Sequence, residues 1–212
     1  MLALARLYRN TKRFFGHKVL DLACGGGVLG FVVEPEGHRY LGIDTNHDAV
    51  GAARQYAAEI GSHNRFVLGD VRSTELQGTF DTVTLLGNAL CHFNTADFVS
   101  IIGNVAGHVH SGSYFVVDYR DVVSLLFARR WARRFSGRRE ARTVTSVTKG
   151  FDARRGDLLL ESIQEGGRNL RFTHGVWSPF ILEPLMRLNG WSLVRGKFKR
   201  RQNGWLDVYR KL

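Results

Sequence analysis

Three acids at even intervals, each at or near the end of an apolar run, are the residues of this chain best placed to do chemistry: Asp21, Asp44 and Asp70. Asp21 lies inside Val19-Leu20-Asp21-Leu22-Ala23-Cys24-Gly25-Gly26-Gly27, Asp44 in Gly42-Ile43-Asp44-Thr45-Asn46, and Asp70 in Leu68-Gly69-Asp70-Val71. Glycine has no Cβ, so the loop after Asp21 can turn sharply and let a ligand press on its backbone. A helix opening at Val28 would add partial positive charge from its first amides. An acid placed like Asp44 accepts hydrogen bonds from ribose hydroxyls, and Asp70 is placed to reach the exocyclic amine of an adenine. Gly25, Gly27 and Gly30 also satisfy G-x-G-x-x-G, a dinucleotide signature that is weak alone. A carboxylate as close to the loop as Asp21 repels a pyrophosphate and attracts a cation. The set suits a ligand with an ammonium group, a ribose and an adenine but no phosphate. S-adenosylmethionine has that composition; NAD does not.

Asp21-Leu22-Ala23-Cys24-Gly25-x-Gly27 resembles motif I of the class I S-adenosylmethionine-dependent methyltransferases, and Asp44 and Asp70-Val71 stand where that family has its ribose and adenine contacts. Ala23 replaces the family's first glycine. Leu86-Gly87-Asn88-Ala89-Leu90-Cys91-His92-Phe93 resembles the segment after the fourth strand in small-molecule members related to the glycine N-methyltransferases. The resemblance implies an α/β fold with a doubly wound, mostly parallel seven-stranded sheet of Rossmann-like form. It implies S-adenosylmethionine as cofactor, with contacts from Asp21, Ala23, Cys24, Gly25, Gly27, Asp44, Thr45, Asp70, Val71, Leu86 and Gly87. Each acid also has a purely structural reading: Asp21 as a partner of the loop amides, Asp44 as a helix cap, Asp70 as a turn residue.

A sulfonium methyl is already activated, so its transfer needs alignment and exclusion of water rather than a catalytic triad. An amine acceptor must lose a proton, and His92, Tyr119, His174 and Asp118 are the candidates to take or relay it. Asn88, His92, Tyr119 and Trp177 are the candidates to touch the acceptor. The structural alternatives are a helix-capping His92, a solvent-facing His174 and a Tyr119 packed beneath an insertion. Asn88-Ala89-Leu90-Cys91 stands where enzymes that methylate adenine or glutamine nitrogens carry Asn/Asp-Pro-Pro-aromatic, which argues against those substrates. Scattered histidines and committed acids predict no metal site.

Strands are expected at 18–22, 38–43, 65–68, 80–86 and 113–119, alternating with helices. An amphipathic helix over 2–15 precedes them, expected as a cover over the cofactor cleft. After Tyr119 the rhythm changes. A helix is expected over 121–135, then three strands at 142–151, 157–165 and 170–177 separated by turn signals, an antiparallel meander in a place where relatives build a substrate cover. A helix from Ser178 and strands at 191–199 and 205–210 finish the chain. The expected division is a cofactor-binding core with its cover helix (1–120), an inserted helix and β subdomain (121–177) and a closing helix and hairpin (178–212).

No apolar run is long enough to span a bilayer. Cys24 and Cys91, the only cysteines, predict a reducing, cytoplasmic setting, with Cys91 a buried structural thiol. The net charge of +11 is concentrated in Arg129–Arg142, where arginines alternate with Trp131 and Phe135. Such a segment can hold phosphates and stack on bases, or be a solvated helix face with docked aromatics. The expected function is methyl transfer to a nitrogen or oxygen nucleophile of a small molecule, with an RNA-directed methyltransferase as the alternative. A cofactor-binding protein without transferase activity, or a nicotinamide-dependent oxidoreductase, stands behind both, and the oligomeric state is open.

Overall fold

The computed structural model describes residues 2–132, 134–139, 142–164, 169–199 and 204–212. In chain order the strands are β1 (Lys18–Leu22), β2 (Arg39–Asp44), β3 (Arg65–Leu68), β4 (Phe80–Leu85), β5 (Val109–Arg120), β6 (Arg134–Arg139), β7 (Arg142–Asp152), β8 (Asp157–Gln164), β9 (Leu170–Gly175), β10 (Trp191–Lys199) and β11 (Gly204–Lys211). The helices are α1 (Leu2–Thr11), α2 (Val28–Val33), α3 (His47–Glu59), α4 (Thr95–Ala106), α5 (Val122–Phe127) and α6 (Pro179–Leu188).

Seven strands form the main sheet in the order β10-β11-β5-β4-β1-β2-β3. β1 to β5 pair in parallel, and β11 inserts antiparallel between β5 and β10. Alternating residues along β1 explain the layering: Leu20 and Leu22 enter a core with α4 and α6, while Val19 enters a second core with α1, α2 and α3. With both faces covered, the carboxyl ends of β1, β2, β3, β4 and β5 share one free edge, where a ligand binds in an open α/β sheet. Asn46 caps α3 by accepting from the Ala49 amide, and Asn94 and Asp97 form a reciprocal capping box on α4, so both helices start at that edge. The apolar side of α1 packs on the second core, and its last turn lies towards the opposite edge, where the Tyr8 hydroxyl meets His38 Nε2 at 2.8 Å.

β6-β7-β8-β9 form a second, antiparallel sheet with its own small core of Val122, Leu158 and Leu160, against which Trp131 and Val176 pack. This corrects the expected three-strand meander behind a long helix. α5 ends at Phe127, Arg129 adopts a left-handed backbone (φ 53°), and Arg134–Arg139 pairs with β7. Backbone groups beyond the helix thus find partners on a sheet edge. Trp131 joins the sheet through an Nε1–H donated to Thr148 Oγ1 at 3.1 Å. Within the arginine-rich stretch, residues 133, 140 and 141 and the side chains of 135 and 137–144 lie outside the described residues. No helix among the described residues is long and apolar enough to cross a membrane.

Candidate functional site

Beyond β1 the chain passes through three left-handed residues, Ala23 (φ 55°), Gly25 (φ 54°) and Gly27 (φ 68°). The Cys24 amide donates to the Ile43 carbonyl at 3.0 Å, tying the loop to β2. At Gly27 a Cβ would fall 2.1 Å from the Phe66 ring, so only glycine lets the loop lie on β3. At Gly25 and Gly26, chain neighbours apart, no atom of the described residues lies within 4 Å of the Cβ position. The backbone there faces open space and forms a cradle that a ligand can press against.

Asp44 closes one side of the cradle. Its Oδ2 accepts from the Gly25 amide at 2.7 Å and its Oδ1 from the Asn46 amide at 2.8 Å. Each oxygen keeps a further lone pair, and Thr45 beside it is exposed. Asp70 is held by Arg72, with Nη2 at 2.6 Å from Oδ2 and the Arg72 amide at 2.9 Å from Oδ1. The guanidinium keeps this carboxyl below its ordinary range, hence ionised. Val71 next to it is buried.

Asp21 sits differently from expectation. It is buried, and it accepts from the Tyr40 hydroxyl and from Thr84 Oγ1, both at 2.6 Å. It therefore links β1 to β2 and β4 beneath the loop; the acid that binds a loop amide is Asp44. Burial pushes the Asp21 carboxyl up to about 6, against the lowering effect of its two hydroxyl partners. Burial also raises the Cys24 thiol, which stays protonated.

A second group of residues gathers where β4 and β5 end. Leu86 is buried, and Gly87 (φ 79°) and Asn88 (φ 65°) are successive left-handed residues. Asn88 fastens this turn to β5: its amide donates to Asp118 Oδ1 at 3.0 Å, and its Oδ1 accepts from the Arg120 amide at 2.9 Å. The short 3-10 turn Ala89–His92 follows, with His92 exposed and the Cys91 thiol pushed up to about 11 by burial. β9 packs on this turn. A Cβ on Gly175 would fall 2.0 Å from the Phe93 carbonyl oxygen, which also accepts from Trp177 Nε1–H at 2.9 Å.

That clamp brings His174 to the site from the second sheet. The ring stands edge-on to Trp131 at 5.6 Å, and Nε2 is shielded from solvent with no hydrogen-bond partner among the described residues. Burial pushes this imidazole down to about 4, helped by His92 and Arg120 nearby. The structure therefore unites Asn88, His92, His174 and Asp118, and adds Arg120, which the sequence reading missed. Tyr119 and Trp177 are corrected: both are core residues, Tyr119 donating to buried Asp207 at 2.6 Å and Trp177 packing edge-on against Phe98. The period of two was the available signal. Asp118 and Arg120 share one side of β5 and Tyr119 takes the other. Among the described residues no group of three His, Cys, Asp or Glu side chains could hold a metal ion.

The doubly wound sheet with its antiparallel β11, the open glycine cradle and the carboxylates at the ends of β2 and β3 have the form of the class I S-adenosylmethionine-dependent methyltransferase fold. Residues 19–112 match the family model described as "Methyltransferase domain". The chain is 34% identical over 118 residues to the ubiquinone biosynthesis O-methyltransferase of Vibrio parahaemolyticus, covering 54% of this chain and 49% of that one. It spans about half the length of the curated relatives it matches. Among solved structures, the CcbJ methyltransferase of Streptomyces caelestis superposes with a TM-score of 0.79 at 19% identity, covering 98% of this chain and 89% of that one. An S-adenosylmethionine-dependent methyltransferase from Clostridium acetobutylicum gives 0.77 at 13% identity, covering 98% and 89%. These two likenesses concern the fold.

Proposed function

We propose that this protein transfers a methyl group from S-adenosylmethionine to an oxygen or nitrogen nucleophile of a small molecule held between the ends of β4 and β5 and the second sheet. The observation that carries the proposal is the cradle at Gly25 and Gly26, open on its ligand side and bounded by Asp44. When bound, the cofactor supplies an activated sulfonium methyl. Asp44 accepts from the ribose hydroxyls with Thr45 beside it, while Ala23, Cys24, Gly25 and Gly27 shape the backbone that faces the cofactor. Asp70 and Val71 take the adenine side, and Leu86 and Gly87 close the pocket. Asp21 acts one layer below, aligning three strands and placing a buried carboxyl near the cationic end of the ligand. Near neutral pH His174 is an uncharged imidazole that can accept a hydrogen bond, with exposed His92 beside it.

In this proposal residues 1–120 bind the cofactor, 121–177 cover the acceptor and exclude water, and 178–212 complete the sheet, in a reducing compartment such as the cytoplasm. The name of the curated relatives supports an oxygen acceptor. Titration calorimetry with S-adenosylhomocysteine and NAD tests the cofactor. The former should bind and NAD should not, and Asp44→Ala should weaken binding at least about tenfold, the loss of a charged hydrogen bond. Label from methyl-labelled cofactor, followed into a metabolite extract and separately into bulk RNA, tests the acceptor. Label in RNA alone would refute the small-molecule assignment, and NAD binding would refute the whole.

A further inference from the structure

The turn after β3 is held in two ways, and only the first bears on its backbone. Asn104 Nδ2, on α4, donates to the carbonyl oxygens of Val71 and Thr74 at 3.1 and 3.0 Å. The Asp70 carbonyl accepts from the Ser73 and Thr74 amides at 3.0 and 2.7 Å. These bonds shape residues 70–74 without any charged side chain. Arg72 adds a second set, directed at the Asp70 carboxylate. Its amide donates to Oδ1 at 2.9 Å, its Nε lies 3.0 and 3.1 Å from the two oxygens, and its Nη2 donates to Oδ2 at 2.6 Å. The remaining arm, Nη1, donates to Asp97 Oδ1 at 2.8 Å, and Asp97 Oδ2 accepts from the Asn94 amide in the α4 cap. Both ion pairs are partly exposed, so water and salt screen them and they add little to stability. What they fix is direction. A planar guanidinium anchored on α4 leaves the carboxylate one orientation. A carboxylate offers about four lone-pair sites, and the three N–H groups that Arg72 points at Asp70 leave one of them open.

We propose that Arg72 is a positioning residue for the methyl donor, turning the last open site of Asp70 towards the exocyclic amine of the adenine and holding it there from α4. Arg72 itself touches no ligand. The fixed acceptor makes the pocket select a 6-amino purine over a 6-oxo purine, whose carbonyl oxygen would face the carboxylate with no proton between them. An Asp70 released from Arg72 can change rotamer and turn to the ring N–H of the 6-oxo base, so the selection weakens. This assignment rests on the S-adenosylmethionine reading and adds to it the residue that sets base selectivity.

The test is calorimetric binding of S-adenosylhomocysteine and its 6-oxo counterpart, S-inosylhomocysteine, to the full chain. The parent should bind the amino ligand about tenfold or more tightly, the magnitude of one charged hydrogen bond. Arg72→Met keeps an unbranched stem and removes the fork. The preference should then fall at least about threefold, with the amino ligand bound more weakly and the oxo ligand unchanged or tighter. Arg72→Lys should recover part of the loss. Asp97→Asn, whose side-chain oxygen can still accept from the Asn94 amide, should lower the preference less than Arg72→Met does. Urea unfolding accompanies each variant; if Arg72→Met does not fold, Asp97→Asn and Arg72→Lys decide by the same criterion. The proposal is overturned if the preference is unchanged or larger without the fork, which would mean that Arg72 merely competes for Asp70. It is equally overturned if both ligands weaken alike, the mark of a structural role. If S-adenosylhomocysteine binds and the parent shows no preference, this assignment alone fails, whereas its failure to bind removes the methyltransferase reading itself.

Discussion

Replacing Asp21 by asparagine should stabilise the fold progressively as the pH rises from acid to neutral. The carboxyl is 4% exposed and is raised from 3.8 to about 6, because burial penalises its charged form more than Tyr40 and Thr84 favour it. The folded state therefore binds this proton more tightly than the unfolded chain does. Below about pH 4 the group is protonated in both states and contributes its full stabilisation. As pH rises through 6 that contribution is lost, because folding must then bury a charge. A shift of roughly two units corresponds to about 3 kcal/mol. Asparagine fills the same volume, and its amide can pair with both hydroxyls, which rotate to suit. The stability of Asp21→Asn relative to the parent should thus rise by about 2 kcal/mol from pH 4 to pH 7, most of that linkage. Urea unfolding at pH 4, 5, 6 and 7 measures it, with equal m-values required of both proteins. Asp207, also raised to about 6, is present in both chains and cancels in the difference. A difference that stays flat across the series would show that Asp21 is not the proton-binding carboxyl described.

Two glycines one residue apart should respond in opposite ways. Gly27→Ala should lose about 2–4 kcal/mol in thermal or urea unfolding, from the Phe66 clash and the left-handed backbone. Gly26→Ala should fold within about 0.5 kcal/mol of the parent yet bind S-adenosylhomocysteine at least about tenfold more weakly. Tyr119→Phe should lose about 1–3 kcal/mol, more above pH 6 where Asp207 ionises, without changing the acceptor's KM; a KM effect would return Tyr119 to the site. Trp177→Phe removes the bond to the Phe93 carbonyl, and hydrogen exchange should quicken in β9 while β1 stays protected.

The parts of the fold that could be read from the chain were those set by local pattern. Short apolar runs marked β1 to β5, and the glycine run marked the loop, because only glycine tolerates the approach that Gly27 makes to Phe66. The α3 cap is local too: Asn46 precedes the helix and accepts from the Ala49 amide. Partners decided by register were not legible. Asp21 meets Thr84 because the β1–β4 pairing sets them opposite, and Tyr40 reaches it from the neighbouring strand. Nothing in the span from 21 to 84 announces that alignment. β6 was misread for another reason: Trp131, Ala132 and the arginines carry no alternation, and the strand exists because β7 offers an edge. At the site, His92 and His174 were named separately and not as neighbours, and Arg120 passed unnoticed behind the more suggestive Tyr119.

Among the described residues the second sheet meets the parallel core at the Phe93 carbonyl, and it carries its own hydrophobic centre. Such an attachment uncouples two histories. Residues on β6 to β9 can drift, lengthen or exchange charges without disturbing the packing beneath the nucleoside. Under the proposed function, substitutions confined to that sheet would change the methyl acceptor and leave the donor cradle as it is.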